Sequence, residues 1–109
     1  ARMTRLQRAT SQSAANAEYD VSSIASHAHM SVRTAQRVAA ANGTSLRAIL
    51  DDARADRAKR LFLSDPDIRV SSVAIAVGYS DSRAFRRAFR RWTGMSPTDF
   101  RRLCLADGR

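Results

Sequence analysis

Apolar residues along this chain recur at intervals of three and four and almost nowhere at two, a pattern that predicts helices and no strands. Leu6 and Ala9 mark one side of a polar, Ala-rich first helix over Thr4 to Ala17, with a poor apolar stripe. Ile24, Ala25 and Ala28 form the inner face of a short second helix ending near His29, which Ser22 or Ser23 can cap because a hydroxyl there accepts from amides the first turn leaves free. Ser31 caps a third helix running to about Asn42, and Gly43 supplies its left-handed stop. Leu46, Ile49, Leu50, Ala53 and Leu61, with Arg54, Asp56, Arg57 and Lys59 between them, predict a long amphipathic helix from about Ser45 to Ser64. Ser64-Asp65-Pro66-Asp67 ends it, since the residue before a proline avoids helical geometry and Asp favours turns.

Val70, Val73, Ala74 and Val77 then fall at i, i+3, i+4 and i+7, followed by Gly78 at a turn and by Ser80 or Asp81 capping a helix to Trp92. Phe85, Ala88, Phe89 and Trp92 share one face of that helix and are expected in the core, while Ser82, Arg83, Arg86, Arg87, Arg90 and Arg91 lie on the others. Ser96-Pro97 opens a closing helix to about Leu105, with Pro suited to a first helical turn, and a frayed tail is expected after Ala106.

The pattern occurs twice. Val21-Ser22-Ser23-Ile24-Ala25 is echoed 49 positions later by Val70-Ser71-Ser72-Val73-Ala74, Ser31 by Ser80 at the same offset, and Gly43-Thr44-Ser45 by Gly94-Met95-Ser96 at an offset of 51. The second copy is therefore expected to be two residues longer in its last helix. Each copy reads as helix, tight turn, helix, so the fold class is all-α: two helix-turn-helix subdomains, residues 1–45 and 65–109, joined by a connecting helix over 46–64, with about seven helices in all.

Charge turns this architecture toward a partner. Lys and Arg number 19 against 10 Asp and Glu, a formal net charge of +9 that calls for a polyanion: DNA, RNA or an anionic membrane surface. No run of 18 or more apolar residues and no export signal is present, so no membrane span is expected and a cytoplasmic location is the default. Cys104, the single cysteine, can form neither an internal disulfide nor a cysteine-based metal site; it reads as a small semi-buried apolar residue. His27 and His29 have no ligand set around them, and neither a metal nor a cofactor is implied. The chain starts at Ala1 and its first periodic segment begins almost at once, which reads as a piece of a longer protein.

The second copy, Gly78-Tyr79-Ser80-Asp81-Ser82, Ala84 to Arg91, Thr93-Gly94-Met95-Ser96-Pro97 and Phe100-Arg101, resembles the DNA-binding domain of the AraC/XylS family of bacterial transcription regulators almost position by position. Arg54, Ala58 and Leu61 also stand where that family's connecting helix has Arg, Ala and Leu. The first copy resembles it through Ser31, Arg33, Thr34, Gln36, Arg37, Gly43 and Ser45, but Ala35 and Ala39 replace the usual Leu or Phe, and His29 stands where the second copy has Gly78. Two alanines forfeit apolar burial at about 25 cal/mol per Å², so the first unit is expected to be softer unless a neighbour fills the space. The resemblance implies two recognition helices inserted into successive major grooves of a bent site. It also implies a sensor or dimerisation domain on the N-terminal side, which would hold any small-molecule effector site.

A recognition helix enters the major groove N-terminal end first, so base readers belong in its first two turns, facing away from the core. That selects Ser31, Arg33, Thr34, Gln36 and Arg37 in the first unit and Ser82, Arg83, Arg86 and Arg87 in the second. Arg can bond guanine O6 and N7 together, Gln can do the same to adenine, and a Thr methyl can touch thymine. Arg90 and Arg91 are expected on phosphates, giving register without sequence information. Ser31 and Ser80 also fit as helix caps, and Arg87 could instead pair with Asp81 or Asp99. The leading reading is a sequence-specific module for double-stranded DNA, with RNA polymerase a further candidate partner. The alternative is a nonspecific basic nucleic-acid-binding protein, which would show evenly scattered lysines in place of arginines clustered on helix faces. An enzyme is not expected, since Cys104 lacks the setting of a nucleophile.

Overall fold

The computed structural model describes residues 1–15 and 18–107, and the regular structure among them is helical throughout. Among the described residues seven helices follow one another: α1 (Arg2–Ala15), α2 (Val21–His27), α3 (Val32–Ala41), α4 (Leu46–Ser64), α5 (Val70–Ala76), α6 (Ser82–Thr93) and α7 (Pro97–Asp107). The chain forms two compact units, Ala1–Arg54 and Ala55–Arg109, whose boundary falls inside α4. The connecting helix is thus shared: its first half closes the first unit and its second half opens the second.

In the first unit α1 packs against both α2 and α3, and α2 against α3. Leu6 and Ala9 of α1, Ile24 and Ala25 of α2, Ala35, Val38 and Ala39 of α3, and Leu46 and Leu50 of α4 are buried together with Ala28. Ala35 and Ala39 are both fully buried, so close approach of neighbouring helices covers the positions that larger side chains fill in the second unit. Two polar side chains of α1 turn inward: Thr10, whose hydroxyl donates to the Leu6 carbonyl at 2.8 Å, and Ser13, whose buried hydroxyl has no hydrogen-bond partner among the described residues. The expected span of α1 is shifted, beginning at Arg2, and Ala17 lies outside the described residues.

The second unit is built on aromatic rings. Phe62 of α4 meets Phe89 edge-on at 5.8 Å between centroids, Phe89 meets Phe100 of α7 at 5.6 Å, and Phe85 meets Phe89 at 5.7 Å. Tyr79, in the turn before α6, stands 6.0 Å from both Phe85 and Trp92. Such tilted and edge-to-face pairs add roughly 0.5–1.5 kcal/mol beyond area burial. Phe62, Phe85 and Phe89 are fully buried, and Trp92 is half-buried at the rim of the same face.

One interaction recurs in both units. Arg54 of α4 donates from Nη2 to the Tyr19 carbonyl at 2.7 Å, 35 residues away, with its guanidinium 5.9 Å from the Tyr19 ring centroid and Nη1 3.9 Å from Asp51. Arg101 of α7 donates from Nη2 to the Ile68 carbonyl at 2.6 Å, 33 residues away, and lies 5.6 Å from the Phe62 ring centroid. Tyr19 and Ile68 occupy the same place in the two units, immediately before the N-caps of α2 and α5. Each arginine therefore ties a closing helix to the start of a helix-turn-helix. The two do not follow the sequence repeat, however. Ser45 caps the Ala48 amide and Ser96 caps the Asp99 amide, an offset of 51, which would place Leu50 opposite Arg101. Arg54 leaves its helix about one turn later and still reaches the equivalent carbonyl.

Replacing Arg101 with Met removes a charge-assisted bond to a half-buried carbonyl while keeping much of the side chain's apolar bulk, and should cost about 1.5–3 kcal/mol. Trp92 is the single tryptophan and lies in the second unit, so urea unfolding followed by its fluorescence should move to lower denaturant; an unmoved midpoint would show that the contact is dispensable.

Candidate nucleic-acid interface

The two helix-turn-helix turns are built alike. After α2, the His29 amide donates to the Ser26 carbonyl at 3.0 Å and the Met30 amide to Ala25 at 2.9 Å; after α5, Gly78 donates to Ile75 at 3.1 Å and Tyr79 to Ala74 at 2.8 Å. These are equivalent bonds at an offset of 49, and they close both helices with a left-handed residue. That residue is Gly78 at φ 91° in the second unit and His29 at φ 57° in the first, the single non-glycine with positive φ among the described residues.

The register then changes. Ser31 is the N-cap of α3, its hydroxyl accepting from the Thr34 amide at 3.1 Å, whereas the N-cap of α6 is Asp81, whose Oδ1 accepts from the Arg83 amide at 2.9 Å. Ser31 therefore corresponds to Asp81, at an offset of 50, and not to Ser80. One of the two extra residues of the second copy sits in the turn, yet α6 is still two residues longer than α3, twelve against ten, because α3 ends at Ala41 with Asn42 as its cap while α6 runs to Thr93, directly before Gly94. Gly43 (φ 75°) and Gly94 (φ 83°) end the two helices at the offset of 51. The first cap also departs from expectation: Asp20, not Ser22 or Ser23, caps α2, its carboxylate accepting from the Ser23 amide at 2.8 Å and from the Ser23 hydroxyl at 3.1 Å. A carboxylate one residue before an apolar-periodic segment is a legible N-cap signal, and it outcompetes the serines because it accepts with both oxygens. Arg69 caps α5 with its backbone alone.

With the register at 50, burial along residues 31–40 and 81–90 is the same at every position. Ala35, Val38 and Ala39 match Phe85, Ala88 and Phe89 on the inward face. Outward and exposed stand Arg33 with Arg83, Gln36 with Arg86, and Arg37 with Arg87. Arg90 and Arg91 are exposed in the last turn of α6, where positive charge also complements the helix dipole. Ser31 and Thr34 face each other, hydroxyl to hydroxyl at 3.0 Å, and Ser82 is half-buried in the first turn of α6. Neither helix contains an acidic residue. Asp99 pairs with Arg102 at 3.6 Å and Asp81 holds the helix cap, so among the described residues no ion pair engages Arg87 or any other arginine of α3 and α6. Cys104 is buried in α7. Among the described residues no group of three or more His, Cys, Asp or Glu could hold a metal ion, and no helix is long and apolar enough to cross a membrane.

A paired helix-turn-helix whose second helices bury a matched apolar face and expose unpaired guanidiniums defines a class of DNA-binding domain. A helix-turn-helix family model matches residues 24–103, and the chain belongs to this AraC-type family. It is 44% identical over 77 residues to the HTH-type transcriptional regulator VqsM of Pseudomonas aeruginosa, covering 71% of this chain and 23% of that protein. It is 38% identical over 100 residues to the transcriptional activator NphR of a Rhodococcus species, covering 92% of this chain and 30% of that one. The chain thus spans about a quarter to a third of the length of the curated relatives it matches. Among solved structures, it superposes on a DNA-binding transcriptional dual regulator of Escherichia coli K-12 with a TM-score of 0.82 at 26% identity, covering 96% of this chain and 93% of that one. It superposes on the DNA-binding domain of AdpA, solved with a target DNA, with a TM-score of 0.75 at 30% identity, covering 94% of each.

Replacing His29 with Gly relieves the left-handed strain of a Cβ at the first turn, at a smaller cost in unfolded-chain entropy, and should stabilise the chain by about 0.5–1 kcal/mol. Far-ultraviolet circular dichroism during urea unfolding should show the higher midpoint, and Gly78→Ala should lower the midpoint reported by Trp92.

Proposed function

We propose that this chain is the sequence-reading module of a transcription regulator, with α3 and α6 as recognition helices that insert into successive major grooves of duplex DNA. The observation that carries the reading is the matched exposure of α3 and α6, on which all charge is arginine and none is paired. Residues 1–45 and 65–109 act as the two reading units and 46–64 as the connection between them.

Arg33, Gln36 and Arg37 of α3 and Arg83, Arg86 and Arg87 of α6 are the base readers, since they project from the first two turns away from the buried face. Ser31 and Ser82 stand at the helix starts, close to where a groove edge would pass. The Ser31 hydroxyl is already spent on the cap, so any base contact by Ser31 is secondary to that role, and Thr34 offers its methyl because its hydroxyl faces Ser31. Arg90 and Arg91 lie beyond the second turn and hold phosphates. Arginine clustering on these faces favours this reading over a nonspecific basic binder. RNA polymerase and a small-molecule effector remain partners of the whole regulator, with no residue of these helices assigned to them.

Site selection from a random duplex library should enrich two sequence blocks about one helical turn apart. Against the winning duplex, Arg37→Ala and Arg86→Ala should each cost about 1–3 kcal/mol and relax base preference at one position. Equal weakening on winning and scrambled duplexes would make them phosphate contacts, and no enrichment would favour the nonspecific binder.

A further inference from the structure

The first helix of the domain carries charge that the packing of the first unit does not use. Within α1 the ionisable side chains are Arg2, Arg5 and Arg8, all exposed, and the helix contains no acidic residue. Among the described residues no ion pair engages them. The buried face of α1 is Leu6, Ala9, Thr10 and Ser13, so Arg5 and Arg8 lie off that face. Arg2, Thr4, Arg5 and Arg8 line one open groove along the helix. Arg2 also lines a second groove, with Met3 on its own helix and Arg37, Val38 and Asn42 at the far end of α3. Arg2 therefore borders both grooves, one along α1 with Arg5 and Arg8 and one shared with Arg37 of α3.

We propose that Arg2, Arg5 and Arg8 bind backbone phosphates of the DNA duplex on the strand flanking the groove occupied by α3. The proposal rests on the functional reading above, because it takes α3 as the helix that meets DNA. Three unpaired guanidiniums spaced three residues apart present a strip of positive charge, and guanidinium pairs with phosphate oxygens in a bidentate fork. A strip at this place would also support the unit whose recognition helix carries fewer arginines: α3 has Arg33 and Arg37, against five arginines in α6. Contacts of this kind give affinity and salt dependence and do not read sequence.

The test measures affinity for the selected duplex and for a scrambled one, by fluorescence anisotropy across a series of salt concentrations. It compares the native chain, Arg2→Gln/Arg5→Gln/Arg8→Gln, the corresponding triple lysine variant, and a charge-matched control, Arg57→Gln/Arg60→Gln/Arg102→Gln. Each lost phosphate contact should lower the slope of log affinity against log salt by about 0.9, so the glutamine variant should lose about 2–3 from that slope. It should bind both duplexes at least tenfold more weakly at low salt, with their affinity ratio unchanged, while the lysine variant keeps most of the native slope. A slope loss no larger than that of the control would overturn the proposal, since net charge alone would then explain it. A changed ratio between the duplexes would also overturn it, in favour of base contacts. If these variants behave like the native chain while Arg37→Ala still relaxes base preference at its position, only the α1 strip fails; if the native chain itself prefers neither duplex, the reading of α3 fails and takes the strip with it.

Discussion

Each unit depends on an arginine that reaches across more than thirty residues to hold the carbonyl just ahead of a helix-turn-helix. α2 and α5 have seven residues each, too short to persist on their own helical hydrogen bonds. Their direction is set from outside, by the closing helix of the same unit: Arg54 bonds Tyr19 O and Arg101 bonds Ile68 O. A guanidinium suits this place because one planar group can donate to a carbonyl and lie against an aromatic ring at once. The orientation of the first helix then passes through a hydrogen-bonded turn to the second, so the placement of α3 and α6 depends on a contact outside both helices.

The two units meet the same demand with different materials. In the second, interlocked rings fix α6 against α4 and α7, and their geometry admits few alternative packings. In the first, alanines at the equivalent positions draw α3 against its neighbours, with α1 packed over both α2 and α3. A left-handed histidine adds strain at the first turn that glycine avoids at the second. The first unit thus relies more on helix apposition and less on side-chain volume, which makes α1 an integral part of its packing.

Much of this was legible along the chain. Periodicity at three and four identified the helices, the repeat identified two helix-turn-helix units, and the outward arginines of α3 and α6 fell where the spacing placed them. The misreadings were local and had local causes. Serine hydroxyls at positions 22 and 23 resemble caps, but Asp20 stands one residue ahead of the helix with two acceptor oxygens. The repeat pairs Ser31 with Ser80, yet Ser31 corresponds to Asp81, one of the two residues expected to cap α6, because the longer turn moves the start of α6 by one residue.

The sequence by itself determined the helical class, the twofold repeat and the face of each recognition helix, because those follow from spacing within single helices and from net charge. Only the tertiary structure decided which residues are equivalent between the units, that α4 belongs to both, and that Arg54 and Arg101 do the same work from different helical turns. Those outcomes rest on distances between residues far apart in the chain. A carbonyl and a guanidinium thirty-odd residues distant leave no periodic signal, since their meeting is set by how helices pack and not by how any one of them is spaced.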